Sequence, residues 1–169
     1  LIFVNSDREL FLSDFKLNMK IINKYLYNIF VAISISIIIR LLLLNNYGDL
    51  TLQNEWGVLF NNLKNNGILA YRSFEGNLIP SVYMPPLYVY FIYLIDIIIS
   101  GNFNLVRSIL IIQILLSAIS IFFFYKINLN LFSKTTSIIS TYVFILFPLN
   151  IYSCLQISPI SLQIFLSII

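Results

Sequence analysis

Long apolar stretches alternate with short polar ones along this chain. Tyr25 to Leu44 is nearly uninterrupted by polar residues. As a helix it would extend about 30 Å, the thickness of a bilayer's hydrocarbon core. Residues 108–125 and 135–153 have the same character, and a further run opens at Ile160. Residues 51–66 differ. There Leu52, Trp56, Leu59, Phe60 and Leu63 recur at helical spacing, while Asn54, Asn61 and Lys64 fall on the other side and Gly67 follows as a C-cap. This pattern predicts an amphipathic helix too short to span, lying along the interface with Trp56 at headgroup depth. Gly67 to Pro80 reads as a loop. Leu87 to Ile99 follows Pro85-Pro86, which suits a helix start, but it is only 13 residues long and contains Asp96. That length favours an interfacial or re-entrant segment over a span. Pro148 predicts a kink near the end of the 135–153 run, and Cys154 to Pro159 reads as a second loop.

Composition turns this pattern into a class. With 59% hydrophobic residues and 10% charged ones, the chain has too little charge to cover a water-soluble surface. The expected fold is an all-α polytopic membrane protein. Residues 1–24 form its cytoplasmic tail, where Lys16, Lys20 and Lys24 stand beside the first apolar run. The first outer loop is then 45–107. If Leu87 to Ile99 does not cross, Lys126 and Lys134 return to the cytoplasm, as the positive-inside rule favours. The chain opens on Leu1 and ends inside an apolar run, and Met19-Lys20 resembles a natural start. The expectation is an N-terminal fragment, inactive alone, with residues 1–18 upstream of the true start.

Candidate chemistry is limited by what the chain lacks. It has no histidine, and its one cysteine, Cys154, precludes an intrachain disulfide. Acid–base work must come from carboxylates. Glu55 falls on the border between the apolar stripe and the polar face of the 51–66 helix, at the level where headgroups meet water; its ordinary alternative is a solvated edge residue. Asp49 is the second candidate, against a helix-entry role. Arg40, inside the first run, reads first as an arginine snorkelling to the headgroups and second as one facing the bundle to hold a lipid phosphate. Arg72 and Arg107 are further candidates for a phosphate, Arg107 equally an anchor at the start of a span. Tyr83, Tyr88, Tyr90 and Tyr93 fit an interfacial belt better than a sugar groove. Asp96 stays open between a functional group and a residue facing water. The net charge of +3 is too small and dispersed for a nucleic-acid partner.

The order of these features resembles the N-terminal part of the GT-C membrane glycosyltransferases, the glycosyltransferase family 39 type that includes protein mannosyltransferases and lipid A aminoarabinose transferases. The resemblance spans Tyr25 to Ile169. It rests on Asn54-Glu55-Trp56, Asn62-Leu63 with Gly67, Met84-Pro85-Pro86-Leu87-Tyr88 and Val106-Arg107. It implies a GT-C-like transmembrane bundle that transfers a hexosyl or pentosyl group from a polyprenyl-phosphate donor to a lipid, glycan or protein acceptor on the outer face. It also implies a multi-pass membrane protein, with the bacterial inner membrane favoured over the endoplasmic reticulum. Glu55 becomes the catalytic base, with Asp49 behind it, and Trp56, Tyr88, Arg40, Arg72 and Arg107 become substrate-binding candidates. The chain departs from the family in three ways. Asn54 replaces an Asp, Tyr83 and Met84 replace ligand positions before the Pro-Pro pair, and Cys154 to Gln163 carries no acid. No cofactor follows from the visible residues, and a divalent metal would want several more oxygen ligands.

Two other classes compete. A transporter or flippase for a lipid-linked substrate would place polar groups at mid-membrane, whereas here they gather in one loop. A non-catalytic membrane scaffold needs no special residues, but leaves the ordered motifs as coincidence.

Overall fold

The computed structural model describes residues 28–71, 73–74, 76–80, 84–99, 101 and 103–169. The cytoplasmic-tail assignment, Arg72 and Tyr83 lie outside the described residues. Among those residues the chain is mostly helical: α1 Asn28–Tyr47, then α2 Glu55–Asn66, α3 Pro86–Ile99, α4 Leu105–Leu131, α5 Lys134–Leu146, α6 Pro148–Ser153 and α7 Ile160–Ile168. A two-residue antiparallel hairpin, β1 Ser73–Phe74 with β2 Asn77–Leu78, interrupts the loop expected over 67–80. Gly76 takes a positive φ of 82° in its turn.

Among the described residues two helices, α1 and α4, are long and apolar enough to cross a membrane. The surface of α1 supports membrane association. It leaves Phe30, Ile35, Ile38 and Leu42 more than half exposed (57, 51, 55 and 64%), and a soluble core helix would bury such a face. The third expected span is not one helix. α5 stops at Leu146, and Phe147 adopts φ −63°, ψ 118° before α6 restarts at Pro148. The proline ring excludes the helical conformation from the residue before it and suits the first position of a new helix. Asn150 Nδ2 satisfies the freed Phe144 carbonyl at 3.0 Å. The sequence-predicted kink is a break.

α4 is the central element, packed along α7 and α5. Asn104 caps its start by accepting from Arg107 N, as Ser133 caps α5 by accepting from Thr136 N. α1 runs antiparallel to α4, held at one end by Arg107 Nη2 donating to Asn45 Oδ1 at 2.7 Å and at the other by Phe30 against Phe122, centroids 6.3 Å apart. One apolar cluster joins Leu44, α2, α3, the first half of α4 and the α6–α7 loop. A smaller one joins Ala32, Ile121 and Ile145.

α2 ends where its pattern predicts but begins at Glu55, four residues after the expected start at 51. Asn54 is the N-cap, and Gly67 ends the helix at φ 68°. Its apolar stripe has a different partner from the one expected. Trp56, Leu59 and Phe60 are buried in the protein core against α3. Trp56 meets Tyr88 edge-on at 5.0 Å. The stripe is filled by protein and not by headgroups, because α3 supplies an apolar face of matching length. At 14 residues, α3 is about 21 Å long, short of the hydrocarbon thickness.

Candidate functional site

The segment after α1 and the loop between α6 and α7 are tied together by side chains reaching into backbone. Asp49 Oδ2 accepts from Ile157 N at 2.7 Å, and Asp49 N donates to Leu155 O at 3.0 Å. Asn54 Nδ2 donates to Ile157 O at 3.0 Å while its Oδ1 accepts from Gly57 N. Gln156 Nε2 reaches Tyr47 O at 3.1 Å, and Gln113 Nε2 from α4 reaches Ser158 O at 2.8 Å. Residues 154–159 are irregular backbone against apolar helices, so their amide groups need such partners. Both loops therefore sit at one end of the bundle, the end where α1 finishes and α4 begins.

A cleft of about 110 Å³ opens there. Its polar wall is Asn45, Asp49, Asn104 and Arg107, and its apolar floor includes Leu44 and Leu110. One oxygen of the Asp49 carboxylate is engaged by Ile157 N, which fixes the side chain's orientation. Arg107 is exposed, with one nitrogen on Asn45. The cleft thus presents a held carboxylate and a guanidinium to the same small volume. That combination can take a hydroxyl proton on one side and bind an oxyanion on the other.

The sequence-predicted residues separate into groups. Asp49 and Arg107 come together in the cleft. Glu55, the first choice as base, is exposed at the first position of α2 and is not part of the cleft wall. Trp56 and Tyr88 are core residues, 8% and 1% exposed, packed against each other away from the cleft wall. Tyr88 also stacks on Phe91 at 5.8 Å, and its hydroxyl meets no partner of normal geometry. Burial first, and the Asp49 charge second, push its phenol well above the ordinary value, although the Ser158 backbone acts the other way. Tyr90 is exposed and Tyr93 half-buried. Asp96, left open by the sequence, pairs with Lys64 at 2.7 Å and ties α3 to α2. Arg40 does not snorkel: it is 2% exposed, facing the bundle.

Sequence reasoning missed Asn45 and Asn104 as cleft residues. The Asn104-x-x-Arg107 spacing before an apolar run is a helix-start signal that could have found one of them. Nothing local marks Asn45 or Gln113. Among the described residues no three histidine, cysteine or acidic side chains gather as a metal site would need. Compared with known proteins, the chain matches no family model, no curated protein and no solved structure.

Proposed function

We propose that the cleft between Asn45 and Arg107 is the reaction site of a membrane glycosyltransferase that takes a sugar from a polyprenyl-phosphate donor to an acceptor hydroxyl. The observation that carries this reading is a carboxylate held in place by one loop and an arginine opening a long apolar helix, both on one small polar cleft at the end of the bundle. The residue resemblance to the GT-C enzymes adds to it. In the proposed step the acceptor hydroxyl gives its proton to Asp49 as its oxygen bonds to the anomeric carbon. The bond from that carbon to the phosphate oxygen breaks, and polyprenyl phosphate leaves with the electron pair. Arg107 is the ligand for the charge that develops on the phosphate. Glu55 is the second carboxylate, one residue beyond Asn54.

Transfer from a synthetic polyprenyl-phosphate sugar, measured in membranes carrying the native protein, tests this. Asp49→Asn keeps an oxygen for Ile157 N and should lower transfer by about 10²-fold or more. Glu55→Gln should leave it near wild type. Loss in Glu55→Gln alone moves the base to Glu55. Unchanged transfer in both variants refutes the reading.

One observation favours transport as a second reading. Arg40 is a charged group inside the bundle, where carriers place substrate-binding residues. Substrate counterflow in liposomes without a covalent product would establish it over transfer.

A further inference from the structure

The interior of the bundle carries buried polar side chains on α1 and α4. On α1 the buried face runs Ile29, Ala32, Ser36, Arg40 and Leu44. Ala32 belongs to the smaller cluster and Leu44 to the larger, on which Ile37 and Leu43 also pack, so Arg40 is buried beside the larger cluster and Ser36 at its edge. On α4, Ser117 and Ser120 lie buried between Ile114 of the larger cluster and Ile121 of the smaller. The two contacts between α1 and α4, Phe30 with Phe122 and Asn45 with Arg107, share one antiparallel register. It puts Arg40 level with Ile112, next to Gln113.

Arg40 is held on one side only. Its Nη1 donates to the backbone oxygen of Ser36 at 3.3 Å and to the Ser36 hydroxyl. Its Nε and Nη2 are buried without a partner. These two N–H groups form one edge of the guanidinium and point in parallel, the geometry that takes two oxygens of one carboxylate or phosphate. A guanidinium keeps its charge in proteins, and a buried charge with no counter-charge is strongly unfavourable. Helix propensity does not call for arginine here, since leucine would serve the apolar run as well.

We propose that Arg40 is a bidentate oxyanion site inside the helix bundle, separate from the Asp49 cleft. Its ligand is a phosphate group presented edge-on to Nε and Nη2. The phosphate belongs either to a small solute or to a lipid headgroup. The full chain, labelled with ¹⁵N-arginine in phosphatidylcholine nanodiscs, distinguishes them through the arginine Nε–H resonances. Addition of inorganic phosphate should shift one resonance, saturably, if the ligand is a solute. A shift seen only when phosphatidic acid is built into the nanodisc assigns the headgroup. Arg40→Lys, which keeps charge but loses the paired donors, and Arg40→Met should each lose the resonance that shifts, with no other arginine resonance taking its place. If Arg40→Met does not fold, the wild-type titration and the lysine variant still decide. No shift with either probe, or an undiminished shift in Arg40→Met, overturns the proposal.

Discussion

Asn54 uses both ends of one amide, accepting from Gly57 N to start α2 and donating to Ile157 O to hold the distant loop. An aspartate would cap α2 equally well but could not donate, and its carboxylate would face the Ile157 carbonyl. Asn54→Asp should therefore destabilise the chain by about 1–3 kcal/mol, read as a lower thermal midpoint in detergent; no change would remove the clasp from the account. The sequence reading sets Asn54 on the polar face of a helix over 51–66 and includes neither its N-cap role nor the clasp; the clasp has no local signal because its partner lies 103 residues away. Tyr88 gives a pH prediction. Its folded phenol is raised above the ordinary value of 10.0 by burial and by Asp49. Stability from the neutral phenol is complete below that value, and it falls as pH rises above it, since the unfolded chain releases its proton first. Tyr88→Phe should remove this part of the alkaline loss. At neutral pH it should be neutral or stabilising by up to about 1 kcal/mol, because the hydroxyl it deletes is buried and has no partner of normal geometry. Alkaline melts of the two proteins check both effects.

At the scale of elements, the ends of helices were easier to read than their partners. Asn54 and Gly67 bound α2 as capping chemistry requires, and Pro85-Pro86 marks where α3 begins. The stripe on α2 was visible too, yet its spacing alone cannot say whether lipid or protein covers it. α3 covers it, and the Lys64–Asp96 pair closes the far end. One local constraint is sharp. A Cβ on Gly57 would lie 2.1 Å from the Leu52 carbonyl oxygen, so the chain entering α2 folds back over a position that admits only glycine. Gly57→Ala should cost about 1–3 kcal/mol through overpacking, although alanine normally favours a helix interior over glycine. A rise in stability would show that the entry to α2 is looser than described. The 135–153 run shows the reverse problem. Its hydropathy is that of a span, and only the backbone geometry at Phe147–Pro148 divides it.

For the whole molecule, periodicity and charge gave the helical, membrane-associated class. The long-range hydrogen bonds that build the cleft carry no local signature. They bring Asp49 to the α6–α7 loop across 108 residues and Arg107 to Asn45 across 62, and so Asp49, not Glu55, stands on the cleft wall. Of the two readings of Arg40, the snorkelling one fails for a similar reason. Its depth in the run fits snorkelling, and only the packing of α1 on α4 turns it inward. The account as a whole depends on the cleft facing away from the cytosol. α4 is about 40 Å long and separates the Arg107 end from the α4–α5 turn at Lys134. A membrane-impermeant maleimide applied to intact cells tests this most directly, since Cys154 is buried. We expect Lys64→Cys to label from outside and Lys134→Cys to label only after the membrane is opened; the opposite pattern would contradict the account.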